Sequence, residues 1–127
     1  ATGAALNSNS TSAIAIGDVV VLGTLPAGFK LLDSQVVVKT AMTASVTGNL
    51  GFAYVDGVNV TGDAAQDDDY FGAALVLSSA ARLRNVTTNG AVTLPKDANL
   101  TLTTAGAANA KASRVEVTVY GIAQGVA

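Results

Sequence analysis

Carboxylates are the most concentrated chemical groups in this sequence. Asp63, Asp67, Asp68 and Asp69 fall within one short segment. Carboxylate oxygens are the ligands that Ca²⁺ prefers, and the ion takes several of them at about 2.3–2.6 Å. The spacing does not match an EF-hand loop, so calcium is one hypothesis for this segment. The competing interpretation is an acidic surface segment that caps a following helical turn and lies at the positive end of its dipole.

The residue types that most often carry out catalysis are missing. The sequence has no His and no Cys, which removes the usual general base, a common metal ligand and the thiolate nucleophile. A glycosidase-like acid pair would need two acids to face each other in a cleft, from the set Asp56, Asp63, Asp67, Asp68, Asp69 and Glu116. We therefore predict a protein that is not an enzyme and needs no cofactor, with polysaccharide hydrolysis as the enzymatic alternative.

Charge and hydropathy exclude further classes of function. The net charge is -2, from seven Lys plus Arg and nine Asp plus Glu, so there is no basic surface of the kind that binds nucleic acid. No apolar run reaches the roughly 18 residues that a membrane-spanning helix needs. At 127 residues the chain has the size of one domain. We expect one soluble domain that binds neither nucleic acid nor membrane.

The first twelve residues differ from the rest. They are small and polar, and bury too little apolar surface to offset the entropy of ordering. We predict a flexible arm over residues 1–12, in which Leu6, Asn7 and Ser10 contact a partner. The folded domain is then expected to comprise residues 13–127.

Within that domain the apolar residues recur with period two. Val115, Val117 and Val119 alternate with polar residues, and so do Val36 and Val38. Similar short segments around residues 49–55 and 100–103 are separated by Gly-, Pro- and Asn-containing turns. The pattern predicts an all-β, single-domain, two-sheet antiparallel sandwich with jelly-roll-like topology.

One segment departs from this alternation. Phe71, Ala74, Leu75 and Ser78 fall at helical spacing. We therefore allow for one short helical turn near 70–81.

Two further sets of residues are predicted to contact a partner. The first strand is apolar on both faces, which is typical of a strand that meets another molecule and selects Val20 and Leu22. Arg82 and Arg84 are the second set, because Arg is favoured at interfaces and these two would form a basic patch beside Arg114 if their strands were neighbours. Scattered, solvated arginines are the alternative.

The order of motifs resembles a known class of viral proteins. A strand leads into the turn Leu25-Pro26-Ala27-Gly28, the segment 52–55 follows, then the acidic segment 67–71, and Val115–Tyr120 forms the last strand. This order resembles the small β-sandwich decoration, or cement, proteins of tailed bacteriophage heads. The resemblance covers nearly all of residues 13–122.

The resemblance implies a non-enzymatic virion protein that is made in the host bacterial cytoplasm and lies on the outer capsid surface. Its partners would be the major capsid protein and further copies of itself, as a homodimer or homotrimer, and the arm would become ordered against the shell. The alternative is a head-fibre or tail-associated module that binds a receptor or glycan, which requires a pocket with aromatic and amide groups.

Overall fold

Alternating apolar and polar residues form eight strands in the computed structural model, which describes residues 13–124. The predicted arm, with Leu6, Asn7 and Ser10, lies outside the described residues. The strands are β1 (Val19–Leu25), β2 (Phe29–Thr40), β3 (Thr47–Tyr54), β4 (Asp67–Val76), β5 (Ala81–Arg84), β6 (Val92–Thr93), β7 (Ala98–Ala105) and β8 (Arg114–Ala123). The described part of the chain contains no helix, and hence none able to span a membrane.

The strands form two antiparallel sheets. Sheet A has the order β1-β7-β3-β4. In sheet B, β2 is central, with β8 on one side and β5 and β6 on the other. The predicted all-β, two-sheet antiparallel sandwich is therefore confirmed. The chain changes sheet at every connection except β3–β4 and β5–β6, an alternation between layers that jelly-roll-like sandwiches also show.

The core lies between the two sheets, where the alternation of the central strands places it. Ser34, Val36 and Val38 of β2 share one face and are all buried. Phe52 of β3 packs edge-on against Tyr54 and against Tyr70 of β4, with ring centroids 5.8 and 5.6 Å apart. The faces predicted for these central strands are thus the faces that the structure buries.

The helical turn allowed for near 70–81 does not form, because most of that segment belongs to strand β4. Leu50 of β3 pairs with Gly72, but Phe52, two residues further on, pairs with Asp67. Extra residues on β4 therefore bulge out of the ladder. A second bulge contains Ala74, whose φ of 49° lies in the left-handed region. Of the residues at helical spacing, Phe71 and Leu75 are buried but Ala74 is exposed, so the spacing does not mark one helical face.

Candidate interaction surfaces

The acidic segment is fixed to sheet A by a close approach of two backbones. At Gly51 of β3, an added Cβ would lie 2.1 Å from the carbonyl oxygen of Asp67 and 2.3 Å from the carbonyl carbon of Asp68. Only glycine allows the start of β4 to cross so near to β3. The acidic side chains are therefore held by a strand crossing and not, as one interpretation of the sequence required, by a helix whose N-terminus they cap.

Three of the four predicted carboxylates come together. Asp67, Asp68 and Asp69 can each place an oxygen within 4.8 Å of the others. The Asp67 carboxylate accepts hydrogen bonds from the Asp69 backbone N–H at 3.2 Å and from the Asn89 amide at 3.3 Å. The side-chain hydrogen bond with Asp67, together with burial and the charges of Asp67 and Asp68, raises the pKa of Asp69. The ionised form of Asp69 is therefore disfavoured, and a bound cation would relieve the repulsion among the three carboxylates.

Asp63 stands apart from this cluster but lines the same cavity as Asp67. The cavity, of about 380 Å³, is lined by Asp63, Asp67, Tyr70 and Asn89 together with small and apolar residues 65 and 90–92. Tyr70 is buried, its hydroxyl donates to the Gly90 carbonyl, and burial raises its pKa. The Tyr70 ring is thus fixed in the cavity wall. The polar groups left for a ligand are the carboxylates of Asp63 and Asp67 and the amide of Asn89.

The acid pair considered for the enzymatic alternative does not include Glu116. That side chain lies on β8 of sheet B, where it forms an ion pair with Arg114 at 2.9 Å. The acidic cluster belongs to β4 of sheet A. Any pairing of two acids would therefore have to come from the aspartates alone.

The first strand presents an apolar surface. Ile16, Val19, Val21 and Leu22 are 62%, 59%, 57% and 41% exposed, and we call them the β1 surface. Val20 instead packs partly against the core. Of the two residues predicted here, Leu22 is on the surface and Val20 is mostly turned away from it. In the sequence, the alternating pair Val19 and Val21 was the signal that could have identified the exposed face of β1.

The predicted arginines do not form a basic patch with Arg114. Arg82 and Arg84 lie on β5 and Arg114 on β8, and β2 runs between these strands. Arg84 donates to the Asp33 carboxylate at 2.7 Å, which lowers the pKa of Asp33 and raises that of Arg84. Two of the three positive charges are thus balanced, and all three lie on sheet B. The predicted partner-binding residues therefore divide between two sheets.

Two features were missed at the sequence level. Lys96 donates to Asp56 at 2.8 Å and to the Val58 carbonyl at 2.6 Å, and lies 4.9 Å from the ring centroid of Tyr54. This contact joins the long β3–β4 loop to the β6–β7 turn, and the Lys96 side chain lowers the pKa of Asp56. The other missed feature is that β8 is an edge strand. Its valines, which point towards the core, are therefore only half-buried.

No known family accounts for these surfaces. No family model matches the chain, no curated protein matches it, and no solved structure matches it. Their function has to be inferred from the residues and contacts described above.

Proposed function

We propose that this protein is a non-enzymatic structural protein of a virion, which decorates and cements the outer surface of a bacteriophage capsid by binding its major capsid protein. The observation that carries the proposal is the β1 surface: Ile16, Val19, Val21 and Leu22 are all exposed on or beside one edge strand. A cluster of exposed apolar side chains is typical of a site that contacts another protein. The choice of a capsid protein as the partner rests on the order of sequence motifs, which resembles that of phage decoration proteins.

The chemistry of this surface suits a repeated, shape-dependent contact. Strand β1 carries no charged residue, so its contact area comes from valine and leucine side chains. Such a contact is weak for one copy, since association costs translational and rotational freedom. On an assembled shell with many equivalent sites, neighbouring copies that hold one another multiply the effective affinity. A cement protein of this kind would bind the lattice far better than free subunits.

The test compares two valines of similar exposure on opposite edges of sheet A. Val21 of β1 is 57% exposed and Val76 of β4 is 50% exposed. Val21→Asp is expected to abolish co-sedimentation with assembled capsids and to remove density for the domain in electron cryo-microscopy. Val76→Asp is the matched control and should bind as the unaltered chain does. Equal binding by both variants, or absence of the protein from the outer shell, would contradict the proposal.

A second candidate is a head-fibre or tail-associated module that binds a receptor or glycan. It is favoured by the cavity of about 380 Å³, because the carboxylates of Asp63 and Asp67 and the amide oxygen of Asn89 supply acceptors for sugar hydroxyls. Glycan-array binding by the isolated chain, lost in Asn89→Ala and retained in Val21→Asp, would favour this candidate. Capsid binding with the reverse pattern would favour decoration.

A further inference from the structure

The four edges of the two sheets differ in whether another strand can join them. In β1 the register with β7 shifts at Leu22, so that edge is bulged. In β4 the register with β3 shifts twice. Strands β5 and β6 have four and two residues. Bulges and short strands are the features by which proteins keep sheet edges from pairing.

Strand β8 has none of these protections. It has ten residues, and among the described strands it pairs only with β2. The irregularities in that pairing insert Leu32 and Lys39 into β2, so β8 itself is regular throughout. It contains no proline, no lysine and no inward-pointing charge, which are the other common means of blocking an edge.

The inner face of β8 is also incompletely covered. Val117 pairs with Val36, yet Val36 is 2% exposed whereas Val117 is only half-buried. The neighbouring inward valines, Val115 and Val119, are half-buried as well. A strand added beside β8 would therefore gain backbone hydrogen bonds and would also cover apolar surface that the monomer leaves partly open to water.

We propose that β8 is the self-association surface of this protein: two copies join antiparallel along β8, with the two-fold axis at Val117. In this register Val117 faces its own copy and Val115 faces Val119, so all the half-buried valines meet across the interface. On the outer face Arg114 lies opposite the aromatic ring of Tyr120, and Glu116 lies opposite Thr118. Cross-strand pairs of these kinds stabilise antiparallel sheets.

Charge, strand overlap and valine pairing together favour this register over its neighbours. Moving the axis to Glu116 places the two Glu116 carboxylates directly opposite each other, which is destabilising. Moving it to Val115 allows only three residues of β8 to overlap, since the strand begins at Arg114. Moving it to Thr118 places Arg114 opposite Ile122 and breaks the pairing of Val115 with Val119. With the axis at Val117 no like charges are directly opposed.

The β8 pairing is independent of the proposed function, because it concerns the isolated chain and leaves the β1 surface free. The absence of Cys allows a direct test. Directly opposed residues in an antiparallel pair have Cβ atoms about 4.5–5.5 Å apart, close to the separation in a disulfide. Val117→Cys should therefore form a covalent dimer on mild oxidation, as measured on a non-reducing gel.

Two controls fix the register. Val115→Cys alone should remain monomeric on the gel, because the two copies of residue 115 would be about 13 Å apart along the strands. An oxidised mixture of Val115→Cys with Val119→Cys should cross-link. Val76→Cys, on the β4 edge and more exposed than Val117, reports random collision, so it should cross-link less than Val117→Cys.

Sedimentation equilibrium of the unaltered chain provides a readout that needs no substitution. The expected result is a monomer–dimer equilibrium that Val117→Lys shifts to monomer, since an inward lysine blocks edge pairing. A monomer at every concentration, a trimer, or cross-linking of Val117→Cys no greater than that of Val76→Cys would overturn the proposal. So would cross-linking that appears only after residues 1–12 are deleted, because the arm would then be the occupant of this edge.

Discussion

Gly51→Ala is expected to be among the most destabilising single-methyl additions in this domain. The added Cβ would lie 2.1 Å from the Asp67 carbonyl oxygen, more than 1 Å inside the roughly 3.5 Å of normal contact. Its neighbours at this point are backbone atoms of residues 67 and 68, which cannot rotate away as a side chain would. Overpacking usually costs about 1–3 kcal/mol, so we expect a loss of about 3 kcal/mol. The acidic segment should move away from β3 as a result.

The assay is urea unfolding followed by circular dichroism, with Gly23→Ala as the matched control. Gly23 also lies in a strand of sheet A, but nothing lies within 4 Å of a Cβ added there. The control should therefore change stability by less than about 0.5 kcal/mol. For a domain of this size, 3 kcal/mol corresponds to a fall in Tm of about 10 °C. Equal unfolding midpoints for the two variants would show that β4 does not cross β3 at Gly51.

Two further predictions concern ionised groups. Asp69→Asn should raise stability at neutral pH by less than about 1 kcal/mol, because the pKa of Asp69 is raised in the fold and its ionised form is disfavoured. In urea titrations the gain should shrink as the pH falls through that raised pKa and vanish below the ordinary carboxyl pKa. Asp63→Asn, which lies outside the cluster, is the control, and excess Ca²⁺ should stabilise the unaltered chain more than Asp69→Asn if the cluster binds the ion. Lys96→Gln should speed hydrogen exchange in the loop around Asp56. Because Lys96 lowers the pKa of Asp56, the pair's contribution is present above the ordinary carboxyl pKa, and the difference from the unaltered chain should disappear as the pH falls through the lowered one.

The sequence predicted best those strands that are buried in the middle of a sheet. Val36 and Val38 lie on a strand with neighbours on both sides, so their alternation reports directly which face meets the core. The segment around Ala74 was misassigned because its bulges arise from pairing with β3, which local spacing does not record. Whether a local pattern predicted the structure correctly therefore depended on which distant strands each segment pairs with.

The candidate surfaces were predicted less completely for the same reason. The exposure of Leu22 was expected, because a strand that is apolar on both faces is typical of one that contacts another molecule. That Arg84 would pair with Asp33, 51 residues away, depended on which strands are neighbours. The half-exposed inner face at Val117 depends on β8 being an edge strand, and its alternation alone is indistinguishable from that of a fully covered strand.

The central position of β2 has a consequence for how this chain reaches its fold. Among residues 13–124, every strand that pairs with β2 comes from much later in the sequence: residues 81–84, 92–93 and 114–123. Closing such long loops costs entropy before any pairing compensates for it, and topologies dominated by distant contacts fold slowly. During synthesis on the ribosome, the longest strand of the domain therefore emerges without a partner in its own sheet. Sheet B can be completed only after residue 123 has been added.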